Sequence, residues 1–383
     1  MIHDVCLILE GISNFNKIGG VSSWLRDLIG GLPEINFSVI NFSNQKNTIS
    51  INEEYKNLKY FKNIQVTDYP FSVEDILLLM KNIYIPDADI FHSTSTGCAS
   101  LYGIYLSELY KKPLLLTEHA IYWKEALETH ELECGIKFNE SEAVEILKII
   151  AKNAYKKAFM ITSPTNFTRA LQTSNGADPD KCTIIKNGID TSKYKFIPDR
   201  FPPNRIGFVG RITRIKNIEL ILEIFVELIR MKNDYKFYII GPIDDIEYFK
   251  ELKKRSLELG LDKYITFTGG LERDKWSDLI DILIMTSKME TQPYVILEAL
   301  SSGVLPVVNN VGGISETINN AGILFQNNTQ PDIIASSILE ISDNEALYID
   351  KIALGRRNIE KYNNLADMII SFNNLYNRAE LYE

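Results

Sequence analysis

Two glutamates, Glu290 and Glu298, follow a short apolar run at residues 282–285 and have seven residues between them. Pro293 lies between them and suits the first turn of a helix, so Glu298 would lie inside that helix. The helix start would offer free N–H groups beside the first carboxylate. The second carboxylate can accept two hydroxyl hydrogen bonds, as from a ribose diol. Glutamates at this spacing are common by chance, so the pair needs support from the rest of the chain.

Two cations follow another apolar run, at residues 206–209. Arg211 comes next to Gly210 at the end of this run, and Lys216 follows five residues later. An arginine fork and a lysine point charge can together neutralise a diphosphate. The alternative is a solvated pair of charges at the start of a helix.

Glycine pairs occur at two further turns between a predicted strand and a predicted helix. Gly19-Gly20 precedes a helical pattern at residues 22–31, and Gly312-Gly313 follows the apolar run 306–308. Glycine lets the backbone approach a ligand closely, and a helix N-terminus favours an anion such as a phosphate. An ordinary strand–helix turn would use the same residues.

A histidine, His119, follows the apolar run at residues 114–117. At the carboxyl edge of a strand it could donate a hydrogen bond or move a proton. A single histidine in such a place is more often structural, so its candidacy depends on the other motifs.

Apolar runs alternate with helical patterns along the chain, which predicts parallel sheets covered by helices. The fold class is therefore α/β, with two Rossmann-like doubly wound domains facing an interdomain cleft. Ligands of such sheets bind outside the carboxyl ends of the strands, so the candidate residues would line that cleft. The predicted strands are residues 5–9, 37–42, 89–92, 114–117, 159–162 and 183–185, then 206–209, 237–240, 265–268, 282–285 and 306–308.

The predicted boundary falls at Asn187-Gly188, where glycine and proline begin a stretch of little periodicity that reaches residue 203. We expect a first domain at residues 1–187, a second at 188–360, and a C-terminal helical segment at 361–383. That segment would pack back toward the first domain. Residues 125–157 are interpreted as an insertion or a long helix, with helical character at 142–157.

The composition excludes several other classes of protein. The formal net charge is −9 and no basic run occurs, which argues against nucleic acid as a partner. The four cysteines are scattered without a C-x-x-C pair, so neither a zinc site nor a disulfide framework is predicted. No apolar run approaches the roughly 18–20 residues of a membrane span, and the N-terminus lacks a signal-peptide pattern. We expect a cytoplasmic protein without a metal, which could still dock on the inner face of a membrane.

In this order, the motifs resemble the GT-B glycosyltransferases and specifically glycosyltransferase family 4. Residues 287–308 resemble the family's Glu-x7-Glu signature followed by a Gly-x-Pro-Val strand, and Asn187-Gly-Ile-Asp190 matches its linker motif. The two cations and the second glycine pair fall in the expected places. The match spans essentially the whole chain, and the combination is far more specific than any single motif.

Four further segments resemble the PelF subgroup, the glycosyltransferases of Pel exopolysaccharide systems. Thr291 and Ala120 stand where that subgroup usually has glycine, and the chain is shorter than typical members. The bulkier Thr291 would alter contacts to the donor sugar, so the polymer and the donor sugar stay open at this point. The segments are Leu7-Ile-Leu-Glu-Gly11, Gly19-Gly-Val-Ser-Ser-Trp24, His92-Ser-Thr-Ser-Thr-Gly97 and Leu116-Thr-Glu-His119.

The resemblance implies roles for the candidate residues. Arg211 and Lys216 would hold the donor diphosphate, and Glu298 would bind the ribose hydroxyls. Glu290 and the amides after it would contact the donor sugar, and His119 would orient the reacting centre. The implied catalytic set is His119, Glu290, Arg211 and Lys216. The implied donor-binding set is Gly19, Gly20, Arg211, Lys216, Leu271, Glu290, Thr291, Gln292, Pro293, Tyr294, Val295 and Glu298.

The resemblance also implies a reaction. It is the retaining, metal-independent transfer of a hexose-type sugar from a nucleotide-sugar to a glycan or lipid-linked acceptor, in exopolysaccharide or surface-glycan synthesis. Family frequency favours a UDP-linked donor such as UDP-glucose, with no other cofactor. Front-face attack, with the leaving phosphate taking the acceptor's proton, needs no carboxylate nucleophile, unlike retaining glycosidases. Peripheral association with a membrane polysaccharide-synthesis complex is compatible with this role.

Three other classes of protein are alternatives to this interpretation. A nicotinamide dehydrogenase is disfavoured, because the first predicted strand is not followed by G-x-G-x-x-G with an acidic residue about 20 positions on. A GT-B epimerase or sugar phosphorylase is closer, but no motif for a pyridoxal lysine is present. The non-enzymatic alternative is a catalytically degenerate GT-B scaffold subunit of a polysaccharide assembly complex. It would be expected to lose the donor-site charges that this chain retains.

Overall fold

The computed structural model describes residues 4–11, 19–43, 55–65, 86–129, 142–272 and 275–379. The chain divides into two compact units. The first unit consists of the described residues within Met1–Lys17, Val21–Lys186 and Ala366–Glu383, and the second of those within Ile18–Gly20 and Asn187–Leu365.

The first unit is built on a seven-stranded sheet in which every neighbouring pair is parallel. The order is β3-β2-β1-β4-β5-β6-β7, so the direction of strand addition reverses between β1 and β4. The strands are β1 Asp4–Glu10, β2 Asn36–Ser43, β3 Leu58–Gln65, β4 Ile90–Ser93, β5 Leu114–Thr117, β6 Met160–Ser163 and β7 Cys182–Ile184.

Helices connect these strands and bury one apolar stripe each. Trp24, Leu25, Leu28 and Ile29 are buried on the first helix, which is the spacing of an amphipathic helix against a sheet. The helices are α1 Gly20–Gly31, α2 Cys98–Tyr110, α3 Tyr122–Thr129, α4 Glu142–Lys157 and α5 Asn166–Ser174.

The second unit repeats the plan with a six-stranded parallel sheet in the order β10-β9-β8-β11-β12-β13. Phe225 of its first helix stacks on Phe237 of a central strand inside a continuous aliphatic core. The strands are β8 Arg205–Val209, β9 Lys236–Ile240, β10 Ile265–Gly269, β11 Ile282–Met285, β12 Leu305–Asn309 and β13 Ile323–Phe325. The helices are α6 Ile218–Met231, α7 Ile246–Glu258, α8 Tyr294–Ser302, α9 Ile314–Ile318, α10 Pro331–Ser342 and α11 Glu345–Tyr362.

The last helix, α12 at Leu365–Ala379, packs within the first unit. Phe372 and Tyr376 are buried there, and the Phe372 ring contacts Trp24 of α1. In the described part of the chain, no helix has both the length and the apolar character needed to cross a membrane.

The predicted α/β class with two parallel-sheet domains is confirmed. Two edge strands, β3 and β13, were not predicted. In β3 only Leu58 and Ile64 are buried, while Lys59 and Lys62 between them are exposed, so the strand lacks the continuous apolar run of a central parallel strand. One local prediction shifts by a position, because Pro293 is the residue before α8 and has extended backbone angles.

Candidate functional site

The second sheet reverses its direction of strand addition between β8 and β11. In open parallel sheets the loops that follow the strands at such a point form a crevice where ligands bind. The loop after β8 carries Arg211 and Lys216, and the loop after β11 carries Glu290. The sequence-predicted cations and the first glutamate therefore meet at the switch point.

Lys216 and Glu290 form a buried ion pair there. The ammonium Nζ lies 2.8 Å from the carboxylate Oε1, and the two side chains are only 11% and 8% exposed. The hydroxyl of Thr286 holds the two loops together, donating to the backbone oxygens of Lys216 and Asn217 at 3.0 and 2.8 Å. Such a pair depends on both partners, because removal of either leaves an uncompensated buried charge.

The backbone of Glu290 is held by the second predicted glycine pair. Gly312 has a φ of +58°, and a Cβ built there would lie 1.6 Å from the carbonyl oxygen of Glu290. The N–H of Gly313 donates to the same oxygen at 3.2 Å. Only glycine satisfies both the left-handed backbone and this close approach. In the structure this pair therefore positions Glu290.

Glu298 lies on α8 and is 5% exposed. The indole Nε1 of Trp276 donates to its Oε2 at 3.2 Å. This contact fixes one carboxylate oxygen of the residue predicted to bind a diol. Trp276 was not singled out from the sequence, because it reaches Glu298 from the short helical turn Trp276–Asp278 before β11.

Arg211 lies in the same loop as Lys216 and pairs with Asp244 at 3.3 Å. Both side chains keep about a fifth of their surface exposed, at 20% and 22%. Their loops pack closely, since a Cβ on Gly241 would lie 1.7 Å from the carbonyl oxygen of Gly210. The neighbouring Asp245 caps α7, and its carboxylate accepts from the N–H of Tyr248 at 2.9 Å.

Gln292, predicted to bind a donor, makes two hydrogen bonds to the linker residue Asn187. The N–H of Asn187 donates to Gln292 Oε1 at 2.6 Å, and the Asn187 side-chain amide donates to the backbone oxygen of Gln292 at 2.9 Å. Both residues are 4% exposed. Of the other predicted donor residues, Tyr294 is buried, while Leu271, Thr291, Pro293 and Val295 are partly exposed.

The first unit holds His119 in the residues that follow β5. The His119 ring is partly exposed and meets the edge of the Trp24 ring at 4.6 Å between centroids. Trp24 belongs to α1, which begins at Gly20, so the predicted glycine turn and the predicted histidine are connected through this contact. Gly19 precedes the helix and is partly exposed.

A second histidine, His92, is fully buried beneath this cluster. Its Nδ1 shares a hydrogen bond with the hydroxyl of Tyr376 at 2.8 Å, and its Nε2 shares one with Thr117 Oγ1 at 2.7 Å. Burial, and next the charge of His119, lowers the pKa of His92 to about 3. The ring is therefore neutral, with one nitrogen donating and the other accepting.

Glu118 lies at the centre of a second buried polar network. Its carboxylate accepts hydrogen bonds from Thr96 Oγ1 at 2.7 Å, Tyr155 OH at 2.8 Å and Gln172 Nε2 at 3.0 Å. Burial raises the pKa of Glu118 to about 7, although the three hydrogen bonds act in the opposite direction. This carboxylate therefore exchanges a proton near neutral pH.

The sequence predicted the charged residues of the second unit but not three contacts around the predicted site: Trp276 with Glu298, Asp244 with Arg211, and Asn187 with Gln292. It also missed the network of Glu118, which belongs to the first unit. The signal for Glu118 in the sequence is a glutamate that lies between an apolar run and the candidate histidine. Across the described ranges, no group of three or more His, Cys, Asp or Glu residues could hold a metal ion.

Family models match both units of the chain. Residues 192–361 match the model described as "Glycosyl transferases group 1". This matched segment lies within the second unit. The first unit matches a domain of unknown function, DUF3492, over residues 3–67 and 42–180.

Two curated relatives show the extent of the sequence similarity. The uncharacterized glycosyltransferase MJ1607 of Methanocaldococcus jannaschii is 25% identical over 49% of this chain and 50% of its own length. The alpha-monoglucosyldiacylglycerol synthase of Streptococcus pneumoniae is 23% identical over 77% of this chain and 68% of its own length. The matched stretch thus spans half of the first relative and about two thirds of the second.

Two solved structures share the fold of the whole chain. HepE of Anabaena, in complex with UDP and glucose, superposes with a TM-score of 0.74 at 15% identity, covering 98% of this chain and 100% of its own. The sucrose-phosphate synthase of Thermosynechococcus elongatus superposes with a TM-score of 0.77 at 15% identity, covering 100% of both chains. At this identity the likeness establishes the fold.

Proposed function

We propose that this chain is a retaining family 4 glycosyltransferase that moves a hexose-type sugar from a nucleotide-sugar, with UDP as the expected carrier, to a glycan or lipid-linked acceptor. The observation that carries this proposal is the buried Lys216–Glu290 pair at the switch point of the second sheet. That sheet lies within the segment matched by the group 1 glycosyltransferase model.

The charges of this site suit a diphosphate. Lys216 would divide its three N–H donors between Glu290 and a phosphate oxygen, and Arg211 would add its planar fork from the same loop. Two side-chain cations would then stabilise the charge on the leaving diphosphate, so the proposed reaction needs no metal. Glu298, held on one oxygen by Trp276, keeps acceptor capacity for a ribose diol.

The proposed transfer proceeds on one face of the sugar. The bond from the anomeric carbon to the diphosphate oxygen breaks, and a bond from that carbon to the acceptor oxygen forms on the same side. The acceptor's proton passes to the leaving phosphate oxygen. In this scheme His119 contacts the sugar and orients it, and Glu290 is not a nucleophile.

The wider role is the synthesis of exopolysaccharide or another surface glycan, as in the PelF-like subgroup, by a cytoplasmic enzyme that associates peripherally with a membrane complex. Two comparisons support a lipid-linked or glycan acceptor and a UDP-linked donor. One relative is named for the synthesis of a glucosylated diacylglycerol, and one structural neighbour is described in complex with UDP-glucose. No cofactor besides the nucleotide-sugar is proposed.

Calorimetric titration of UDP, GDP and ADP tests the donor site. We expect one nucleotide to bind the unmodified protein and Glu298→Gln to weaken it, because an amide accepts fewer hydroxyl hydrogen bonds than a carboxylate. The matched control is Glu340→Gln, which alters an exposed glutamate of α10 and should leave binding unchanged. Absence of binding by folded protein would favour the degenerate scaffold instead.

Turnover tests the chemistry. The nucleotide that binds selects the nucleotide-sugars to screen, and NMR of the product reads its anomeric configuration. An α-linked donor should give an α-linked product, with the same rate in excess chelator. An inverted product would contradict the retaining assignment, and loss of turnover in chelator would contradict metal independence.

A further inference from the structure

Two of the passages of the chain between its units follow Lys186 and Leu365. We call residues 187–190 and 363–365 the crossing segments. They are hydrogen-bonded to each other: Ile189 N–H donates to the oxygen of Asn363 at 2.9 Å, and Leu365 N–H donates back to the oxygen of Ile189 at 3.3 Å. The two passages therefore form one short parallel bridge within the second unit.

Asn187 joins this bridge to the loop that carries Glu290. Its backbone oxygen accepts from the Asn363 side-chain amide at 2.9 Å. Its backbone N–H and its side-chain amide both donate to Gln292. The Asn187 and Gln292 side chains are 4% exposed, so these bonds are shielded from water. A buried N–H that loses its partner bears the full cost of desolvation, which favours a fixed geometry.

The loop between these anchors is short. Gln292 is fixed to the crossing segments, while the oxygen of Glu290, two residues earlier, is fixed to Gly313. Thr291 alone separates the two anchored residues. A displacement of the crossing segments would therefore move the backbone of Glu290, whose carboxylate holds Lys216.

We propose that Gln292 is a positioning residue, which couples the crossing segments to the Lys216–Glu290 pair and does not contact the donor through its side-chain oxygen. This inference rests on the proposed function, because the proposed function assigns the Lys216–Glu290 pair to the donor site. It revises the role implied for Gln292 by the family resemblance.

Four variants separate positioning from direct contact. Gln292→Met removes the acceptor for the Asn187 N–H, and Asn187→Ala removes the second bond without touching the loop. Positioning predicts that each lowers kcat/KM about tenfold, that the double variant is no worse than either single one, and that Gln292→Glu, which keeps an acceptor oxygen, restores most of the activity. Direct donor contact predicts instead that Gln292→Met raises KM, that Asn187→Ala is silent, and that their effects add. Gln330→Met makes the same change at an exposed site and serves as the control.

Hydrogen exchange gives a second readout, which follows the backbone directly and does not rely on activity. Saturating UDP should slow exchange of the amides in both crossing segments and in the loop 288–292. In Gln292→Met the slowing should persist in the loop and be lost in the crossing segments. Protection confined to the loop would overturn the proposal. If no nucleotide binds, the proposed function fails by itself. Coupling is then judged without ligand, where Gln292→Met must speed exchange at residues 289–291 and Gln330→Met must not. Equal rates would overturn it.

Discussion

Glu118 in the first unit and Glu290 in the second are both buried carboxylates at the carboxyl edge of a parallel sheet, yet they are stabilised in different ways. Glu290 faces the ammonium of Lys216 at 2.8 Å. Glu118 accepts three hydrogen bonds, all from the neutral groups of Thr96, Tyr155 and Gln172. In the second unit an opposite charge stabilises the buried carboxylate, and in the first unit neutral hydrogen-bond donors stabilise it.

The difference indicates what each edge can bind. A cation held by a carboxylate can be shared with an incoming anion, since the ammonium has three donors and Glu290 engages one of them in this contact. A carboxylate surrounded by neutral donors offers no such exchange, and its hydrogen bonds instead fix the loops after β4 and β5. The proposed diphosphate site therefore falls to the second edge, whereas the hydrogen bonds of Glu118 hold the loops of the first edge together.

Lys216→Met gives the largest expected effect. It removes the cation of the Lys216–Glu290 pair at the carboxyl edge of the second sheet, which we call the charged edge. Glu290 would be left buried without its ammonium, at a cost of about 3–5 kcal/mol in the free energy of unfolding. Amide exchange should therefore accelerate in β8 and β11 and stay unchanged in β1 and β4. Nucleotide binding should also be lost.

The double variant Lys216→Met/Glu290→Gln separates these two losses. Removing both charges should recover most of the stability but none of the nucleotide affinity. Lys288→Met is the control, because this lysine lies on the same loop and is exposed. Recovery of binding in the double variant would show that the cation is not needed for the anion.

Glu118→Gln tests the carboxyl edge of the first sheet, which we call the neutral edge, through the pH dependence of the free energy of unfolding. The pKa of Glu118 is raised from 4.5 to about 7, so the folded state binds more protons than the unfolded state between these values. The stabilisation that the raised pKa of Glu118 gives the folded state is complete below pH 4.5. It is lost as the pH rises through 7, a change of about 3 kcal/mol in total. Glutamine cannot titrate, so the variant should gain stability relative to the unmodified protein between pH 5 and pH 8.

Exchange rates of the β5 amides at the two pH values measure this difference. His92 is present in both proteins, so the opposite contribution of its lowered pKa to the pH dependence of stability cancels in the comparison. Glu340→Gln, at an exposed position, should show no such pH-dependent gain. A constant difference between Glu118→Gln and the unmodified protein would mean that Glu118 stays ionised in the folded state throughout.

The sequence allowed the residues of the charged edge to be named but not their partners. Lys216 and Glu290 follow apolar strands, and such strands are visible as continuous runs. Their supports come from distant loops: Arg211 and Asp244 are 33 positions apart, and Asn187 and Gln292 are 105 apart. Which loops meet is fixed by the packing of a fold and not by any local pattern.

The neutral edge was harder to predict for a different reason. Threonine, tyrosine and glutamine are ordinary surface residues in a sequence, and only the closed network shows them as the partners of Glu118. The strand β3 was not predicted for a similar reason, because its exposed lysines give this edge strand the polar pattern of a loop. Charged residues can be selected as site candidates from the sequence, whereas residues that act through neutral hydrogen bonds cannot.

Tyr376→Phe sharpens the comparison by removing one neutral hydrogen bond from the first unit. The Nδ1 of His92 would lose its partner in a fully buried site, at a cost of about 1–2 kcal/mol. Exchange should accelerate in β4 and not in β11. Tyr110→Phe removes the hydroxyl of an exposed tyrosine and should have no effect. Equal acceleration in both sheets would mean that α12 stabilises the whole chain and not one unit.

Asp244→Asn has the smallest expected effect and bears most directly on the charged edge. The Arg211–Asp244 pair is about a fifth exposed, so its loss should change the free energy of unfolding by less than about 1 kcal/mol. The carboxylate opposes the attraction of Arg211 for a diphosphate, and its neutral replacement should tighten UDP binding about two- to threefold at low salt. Screening should erase the gain near 1 M salt, where the Debye length is about 3 Å.

The control is Asp234→Asn, which makes the same charge change beside Lys232, just before β9, and should leave UDP binding unaltered. Weaker binding in Asp244→Asn would show that Asp244 orients Arg211 and does not compete for it, and the charged edge would then depend on its acidic residues as much as on its cations.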